Sequence, residues 1–445
     1  MTSFISKLFL VAIIFLQFAC STNKDQAYDK AKAISIINNN KLIKSDIAPK
    51  VNLDDKILSL SWNHSEDHHQ NGRVGNFVKN FTLKKKKYFF QNYKKINLSY
   101  SFFNKDIKLN LPVIFNNKLY ALDNNGKLSL IDIKNNKKLW SKKLFKTNFF
   151  VNNYDPKIYA NNSILYAHMG HNKIKAVNLV SGDVMWTKKI SSLIISKPIV
   201  KDNILYLLSD DNKFYALNAT NGDINWVHKT ISNPNVIYGS PDPVFYKDYV
   251  IISYSSGEVF ALNKNNGQEI WSDNLNSNNI INSNYYLNDI DATPIIIKDK
   301  LYIVSNSGMM KVIKINSGEV IWQKEIASIT NFHINKNYIY ILDNDAKLIA
   351  LALNDASIKW VKQLRAFENN KKPNDKIIYN GLIMADNKLI INSQNGMMFF
   401  ISPFNGDILG KINLNIDNFH SPIIIKNKIY LMGKNWYSQY ILSFE

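Results

Sequence analysis

From about residue 100 onward, short apolar runs and polar turns alternate along the chain at a regular interval. A polar turn leads into an apolar run such as Ile204–Leu208, and a second turn, often Asn-Gly or Ser-Gly, leads into another, such as Phe214–Asn218. The runs are rich in β-branched and aromatic residues, which predicts strands, and the glycine dipeptides supply the positive φ angles of tight hairpins. Some runs are apolar on both faces, as expected of strands covered by neighbouring sheets.

These strands belong to a repeated unit, and each copy of the unit ends with a tryptophan. A third turn carries glycine four residues before the tryptophan, as at Gly222 and Gly267, and in the last copy the tryptophan is replaced by Gly410. Successive copies lie 38 to 51 residues apart, the length of a four-stranded propeller blade rather than of a helical repeat. A large apolar ring can fill the wedge between adjacent blades, so we interpret the tryptophans as packing residues rather than ligand-stacking residues. They are Trp140, Trp186, Trp226, Trp271, Trp322 and Trp360.

Seven units end at a tryptophan or its equivalent, and the strands after residue 420 begin another that lacks a closing strand. We expect Lys56–Trp62 to supply it, because closure by strands from both chain ends removes exposed sheet edges. The predicted fold is therefore all-β: an eight-bladed β-propeller with blades of four antiparallel strands, closed by N- and C-terminal strands. Seven blades are the alternative count.

The first residues predict export. The apolar run Leu8–Phe18 makes about 16 Å of helix, too short to span a bilayer, so a cleaved signal peptide fits it better. Cys20, the only cysteine, stands just beyond this run and resembles the acylated cysteine of a bacterial lipoprotein signal, although Gln17 stands where that pattern prefers leucine. The alternative is an ordinary secretory signal in which Cys20 has no role. The predicted organisation is a lipoprotein signal peptide at 1–19, a lipidated N-terminus and polar tether at 20–55, and a β-propeller domain at 56–445.

Composition narrows the classes of function. The 445 residues are 46% hydrophobic, which excludes wholesale disorder, and one cysteine excludes a disulfide framework or a Cys-based metal site. Lys and Arg number 55 against 35 Asp and Glu, a net charge of +20. Only Arg73 and Arg365 are arginines, and the lysines are spread through the loops. Because base readout relies on arginine, we interpret the charge as a solvated surface and expect no nucleic-acid partner.

Two kinds of side-chain cluster are candidates for chemistry. His64 and His68 have the spacing of metal ligands on a helix, but turn residues flank them and favour an exposed loop; His168 falls in a hairpin turn. Asp289 and Asp291 would share one face of a strand, as acid–base or calcium-binding carboxylates do. No nucleophile motif, phosphate loop or dinucleotide motif accompanies them. We therefore predict no catalytic residue, no metal and no cofactor.

The unit Ala-x-Asn/Asp-x-x-x-Gly-x-x-x-Trp resembles the pyrroloquinoline-quinone (PQQ) type of propeller repeat over about residues 100–445. It is clearest at Ala176–Trp186, Ala216–Trp226 and Ala261–Trp271. The repeat is specific for the fold and not for one function. With the lipoprotein signal, the chain is similar to the BamB family of outer-membrane lipoproteins of the β-barrel assembly machinery.

Two loops carry this resemblance further. Residues 289–294, Asp-Ile-Asp-Ala-Thr-Pro, resemble the Asp-x-Asp-Thr-Thr-Pro loop of that family, and Ile237-Tyr238-Gly239 is similar to its aliphatic-Arg-Gly loop, with Tyr238 where arginine is usual. The resemblance implies that Ile237, Tyr238, Asp289 and Asp291 contact the periplasmic domains of the core barrel protein, BamA. It also implies a non-enzymatic scaffold, monomeric within a hetero-complex and anchored by Cys20 to the periplasmic face of the outer membrane.

Two other functions use the same repeat. A PQQ-dependent dehydrogenase would need basic groups around its anionic quinone, and many such enzymes carry adjacent cysteines above the cofactor, which this chain lacks. A periplasmic ligand-binding propeller is the other alternative, and the sequence alone leaves it open.

Overall fold

The computed structural model describes residues 93–100, 112–146, 156–230, 241–275, 290–365, 376–414 and 421–444, except 117, 136, 386, 426, 427 and 435–437. The described residues form 32 β-strands. They contain no helix long and apolar enough to cross a membrane. Lys56–Trp62, the predicted N-terminal strand, and the signal and tether segments lie outside the described residues.

The strands form eight four-stranded antiparallel sheets, and we call each sheet a blade. Seven blades are built of four strands contiguous in the sequence, and the eighth joins strands from both ends of the described chain. This confirms the predicted all-β propeller with four-stranded blades.

The strands of the first four blades are as follows. Blade 1 contains β2 (Val113–Phe115), β3 (Lys118–Leu122), β4 (Lys127–Asp132) and β5 (Lys137–Lys143). Blade 2 contains β6 (Lys157–Asn161), β7 (Ile164–His168), β8 (Lys173–Asn178) and β9 (Val184–Lys189). Blade 3 contains β10 (Ile199–Lys201), β11 (Ile204–Leu208), β12 (Lys213–Asn218) and β13 (Ile224–Lys229). Blade 4 contains β14 (Val244–Tyr246), β15 (Tyr249–Ser253), β16 (Glu258–Asn263) and β17 (Glu269–Asn274).

The remaining blades follow the same order until the last. Blade 5 contains β18 (Ile295–Ile297), β19 (Lys300–Val304), β20 (Met309–Lys314) and β21 (Val320–Glu325). Blade 6 contains β22 (His333–Asn335), β23 (Tyr338–Leu342), β24 (Lys347–Ala352) and β25 (Ile358–Gln363). Blade 7 contains β26 (Tyr379–Ala385), β27 (Lys388–Ser393), β28 (Met397–Ile401) and β29 (Ile408–Asn413). Blade 8 contains β30 (Ile423–Ile425), β31 (Lys428–Lys434), β32 (Ser438–Phe444) and β1 (Tyr93–Tyr100).

The prediction of the strand that closes blade 8 was wrong. The strand that completes it is Tyr93–Tyr100, paired antiparallel with β32 from Tyr93–Phe444 to Tyr100–Ser438, and not Lys56–Trp62. The sequence conceals this strand because Lys94 and Lys95 interrupt its apolar alternation. The boundary of the propeller domain at residue 56 is not described and stays a prediction.

Burial distinguishes the two edges of blades 1 to 7. The first strand is more buried than the fourth, as a comparison of β10 with β5 shows. Proline stands directly before the first strand at Pro198, Pro243 and Pro294. An edge strand tolerates proline there because the missing N–H would have no partner in the sheet. The second and third strands carry most of the hydrophobic core, as in β11.

Each tryptophan connects its blade to the next one. The indole Nε1–H donates to a carbonyl in the turn between the third and fourth strands of the following blade. The pairs are Trp140 to Val180 (2.9 Å), Trp186 to Ala219 (3.2 Å), Trp226 to Lys264 (3.1 Å), Trp271 to Ile315 (2.5 Å), Trp322 to Leu353 (3.3 Å) and Trp360 to Pro403 (2.9 Å). Most indoles also meet a tyrosine of their own blade, as Trp186 meets Tyr166 at 6.0 Å between ring centroids.

A glycine in the same turn lies against the indole face. A Cβ at Gly222 would come within 2.8 Å of the Trp186 ring, and one at Gly267 within 2.5 Å of the Trp226 ring. Both glycines have φ near +75°, at +78° and +72°, a conformation that L side chains rarely adopt. Backbone geometry and ring packing therefore both favour glycine in this turn. The glycine of a Gly-x-x-x-Trp unit packs on the indole of the preceding blade, and the tryptophan of the same unit packs on the turn of the following blade. We call these six contacts the tryptophan interfaces.

The interface between blades 7 and 8 is built differently. Gly410 stands opposite Phe400, in the register position that tryptophan occupies in the other blades. Instead, β26 is longer than the other first strands and bulges between Asn380 and Leu382. A Cβ at Gly381 would come within 2.4 Å of the Ser421 Cβ. Close backbone approach takes the place of the indole there.

Candidate functional site

The antiparallel order of the strands gives the propeller two faces. We call one the connecting face: it carries the loops that lead from each fourth strand to the next blade and the turns between second and third strands. The predicted partner-binding residues belong to two of these loops. Ile237 and Tyr238 fall between β13 and β14, and Asp289 between β17 and β18; all three lie outside the described residues. The described flanks of the two loops belong to adjacent blades on the same face.

Asp291 is described, and its segment is firmly held. Ile290, at 1% exposed, and Ala292, at 0%, bury their side chains on either side of it. The backbone N–H of Thr293 donates to Asn331 Oδ1 at 2.8 Å, and Asn331 lies in the loop before β22. Blade 6 therefore fixes the end of the blade 4–5 loop, and Asp291 with it.

The Asp291 carboxyl group is desolvated and lacks a donor. Its Oδ1 is buried and has no hydrogen-bond partner among the described residues, and burial raises the pKa of Asp291 from 3.8 to about 6. A buried acceptor left without a donor costs free energy. Sequence reasoning could not detect this feature of Asp291, because burial depends on the fold.

Two further charged groups occupy matching places in blades 3 and 4. Lys197 directly precedes Pro198, and Asp242 directly precedes Pro243, so both stand at the start of a first strand. Burial lowers the pKa of Lys197 to about 7, and the Asp242 carboxylate partly opposes that shift. This pair could not be predicted from the sequence, because Lys197 and Asp242 become neighbours only through equivalent positions in adjacent blades.

The histidine candidate of the described region has a structural role. His168 is fully buried; its Nε2 lies 2.8 Å from Ser196 O, and Nδ1 accepts from the backbone N–H of Gly170 at 3.0 Å. These contacts favour a neutral ring with the proton on Nε2. No group of three His, Cys, Asp or Glu side chains in the described residues is arranged to hold a metal ion. His64 and His68 lie outside them.

Comparisons with known proteins agree with the repeat architecture. A family model described as outer membrane protein assembly factor BamB matches residues 153–362. The chain is 23% identical over 323 residues to outer membrane protein assembly factor BamB of Yersinia pestis, which covers 71% of this chain and 80% of that protein.

Solved structures show the same fold. BamB from Moraxella catarrhalis matches with a TM-score of 0.63 and 14% identity, covering 79% of this chain and all of that one. A europium-containing methanol dehydrogenase matches with a TM-score of 0.60 and 10% identity, and the match covers 84% of this chain and 89% of the dehydrogenase chain. At these identities the structural matches establish the fold alone. The repeat, the family model, the relative and the eight four-stranded blades together identify the chain as a BamB-like β-propeller of PQQ-type repeats.

Proposed function

We propose that the protein is a non-enzymatic scaffold that assists the insertion of β-barrel proteins into the outer membrane. The observation that carries this proposal is the joint similarity to BamB in sequence, over 71% of the chain, and in fold, over 79% of it. The dehydrogenase shares the fold at 10% identity, which gives no support for its chemistry.

The proposed contact with the core barrel protein lies on the connecting face of blades 4 and 5. Ile237, Tyr238, Asp289 and Asp291 would bind the periplasmic domains of that protein, BamA in the related machinery. Two features support this site. The flanks of both loops lie on the same face of adjacent blades, and Asp291 holds an acceptor oxygen without a donor. A rigid ring presenting such groups together is an efficient docking surface.

Anchoring completes the proposal. Acylation of Cys20 would hold the mature chain at the periplasmic face of the outer membrane, as a monomer within a hetero-complex and without a cofactor. A Cys20→Ala variant tests this by fractionation: we expect loss from the membrane fraction, and unchanged retention would contradict acylation at that residue.

Co-purification tests the partner site. The core barrel protein should be recovered with the native chain from detergent-solubilised membranes and be depleted with Asp289→Ala/Asp291→Ala. The matched control is Asp299→Ala/Asp345→Ala, which removes two exposed carboxylates from turns of blades 5 and 6. Equal recovery with all three chains would overturn the site assignment but not the scaffold function.

An activity assay tests the scaffold function itself. The purified chain is mixed with PQQ, calcium and an electron-accepting dye, and alcohols or sugars are added as substrates. We expect no dye reduction above that of PQQ alone. Turnover that depends on the folded chain would contradict the scaffold proposal.

A further inference from the structure

Three consecutive blades place lysine directly opposite lysine at the same register position. In each, the first residue of the third strand faces the last residue of the fourth. The pairs are Lys127–Lys143 in blade 1, Lys173–Lys189 in blade 2 and Lys213–Lys229 in blade 3. We call these six residues the basic arc.

Other blades do not repeat this pairing. The matching positions are Glu258–Asn274, Met309–Glu325, Lys347–Gln363 and Met397–Asn413 in blades 4 to 7. Like charges directly opposite each other on a sheet destabilise it. Folding therefore gives no reason to place lysine at both positions in three adjacent blades, which points to a role outside the fold.

The basic arc lies on the connecting face and continues from blade to blade. The pairs follow the turns between second and third strands, and the backbone N–H of Leu144 donates to Gly126 O at 2.8 Å beside the Lys127–Lys143 pair. Lys213 Nζ reaches Ser191 Oγ, two residues after Lys189, at 3.2 Å. Lys175 Nζ donates to Leu144 O, next to Lys143, at 2.8 Å. Blades 2 and 3 thus each contact the preceding blade next to its arc lysines.

Blade 2, in the middle of the basic arc, and blade 5 differ in how a lysine at the same position is compensated. Lys311 occupies the position in blade 5 that Lys175 occupies in blade 2, and both its Nζ–O distances to the Asp273 carboxylate are 3.0 Å. Within the described residues, the Lys175 Nζ contacts the Leu144 carbonyl oxygen and lies 5.2 Å from the centroid of the Phe145 ring. Burial, and to a smaller extent the charge of Lys173, lower the pKa of Lys175. Among the residues that the structure describes, Lys175 in blade 2 therefore lacks the carboxylate partner that neutralises Lys311 in blade 5.

Among the described residues, three carboxylates lie beside the basic arc, and only one of them forms an ion pair with an arc lysine. Asp211 pairs with Lys213 at 2.5 Å, Asp210 accepts from the Leu193 N–H at 3.1 Å, and Asp123 accepts from the Lys127 N–H at 2.9 Å. All arc residues except the half-buried Lys213 are exposed. Lys173, Lys189 and Lys229 have no ion-pair partner within the part of the chain that the structure describes.

We propose that the basic arc docks on an anionic membrane surface through the phosphate groups of its lipids. Lysines are flexible point charges suited to a diffuse layer of phosphates, whereas recognition of one bound anion favours the arginine fork. Leu193, 43% exposed in the loop between β9 and β10, offers an apolar side chain on the same face. This inference goes beyond the proposed function, because it assigns a membrane contact to blades 1 to 3, which the barrel-protein site does not use.

Vesicle flotation tests the proposal without the acyl anchor. Every sample is the mature chain from residue 20 with Cys20→Ser. Vesicles contain phosphatidylethanolamine with one-third phosphatidylglycerol, or phosphatidylcholine alone. The arc variant is Lys143→Gln/Lys189→Gln/Lys229→Gln. The control is Lys298→Gln/Lys314→Gln/Lys411→Gln, with the same loss of charge at exposed positions of blades 5 and 7.

The native chain and the control should float with the anionic vesicles and not with the neutral ones. The arc variant should bind about a hundredfold more weakly, since each surface lysine contributes about a fivefold gain in affinity. Equal loss in both variants, or no preference of the native chain for anionic lipid, would overturn the proposal. Arc-dependent binding to poly-glutamate without binding to vesicles would overturn it in favour of an acidic protein partner. Circular dichroism and thermal unfolding check that all variants are folded.

Discussion

From blade 1 through to blade 8, successive blades are joined in two ways, and the contrast shows what the repeat encodes. At the tryptophan interfaces, one indole supplies apolar area and a hydrogen-bond donor, and in all but one of them a glycine in the next blade makes room for the ring. Between blades 7 and 8, Gly410 replaces the indole, and the backbone at Gly381 approaches Ser421 instead. The repeat therefore encodes a packing contact, and the ring tolerates its loss where another close contact substitutes for it.

The largest effect should come from removing one indole. Trp226→Ala deletes a ring that is 8% exposed together with its hydrogen bond to Lys264 O, so we expect the free energy of unfolding to fall by about 3–5 kcal/mol. Leu409→Ala, an exposed position beside Gly410, should change it by less than about 0.5 kcal/mol. Urea denaturation measures both. Similar midpoints for the two variants would show that the tryptophan interfaces do not carry the stability assigned to them.

The glycine of the other interface should be nearly as sensitive. Gly381→Ala would place a Cβ 2.4 Å from Ser421 Cβ at a φ of +59°, so strain and overlap add to about 2–4 kcal/mol. Asn203→Ala is the control, since Asn203 is exposed and has a similar φ of +62°. It should lose only the tolerance of asparagine for this conformation, about 1 kcal/mol. If Asn203→Ala costs as much as Gly381→Ala, the close approach at Ser421 is not what requires glycine.

The stability contributed by Asp291 should depend on pH. The stability contributed by the tryptophan interfaces should not, because indole does not titrate. The pKa of Asp291 is about 6 when folded against 3.8 unfolded, so its charge destabilises the fold above pH 6 and has no cost below pH 4. Asp291→Asn should match the native chain at pH 4 and be about 2–3 kcal/mol more stable at pH 7. Urea denaturation of both chains at the two pH values measures the difference. A constant difference would mean that the carboxylate is solvated.

The smallest effect tests the one tryptophan interface without glycine. Ala356 takes the glycine position against Trp322, with a φ of +55°. Ala356→Gly relieves left-handed strain of about 1–2 kcal/mol but adds chain entropy to the unfolded state, so we expect a net gain of about 0.5 kcal/mol. Thermal unfolding should show a slightly higher midpoint, and a clear decrease would mean that the alanine methyl group contributes packing there.

Most of the blade architecture could be predicted from the sequence, because the glycine and tryptophan spacing directly reflects a contact between adjacent blades. The closing strand could not, since nothing in Tyr93–Tyr100 indicates that it pairs with Phe444. The lysines look scattered in the sequence, and only the strand register brings Lys173 opposite Lys189.

The partner site was predicted from resemblance, and the structure adds to it at one residue. Asp291 is desolvated because Asn331 of a later loop fixes its segment, a contact without a local sequence signal. Ile237, Tyr238 and Asp289 lie outside the described residues and stay predictions.

The pairing of β1 with β32 also sets the order of folding. Residues from opposite ends of the described chain close the ring, and long-range closure of this kind is slow because its loop entropy is lost before the contacts form. During synthesis the last strand arrives last, so β1 has no partner and β31 keeps one open edge until residues 438–444 are available. A chain ending before β32 should therefore aggregate or be degraded rather than persist as a smaller ring.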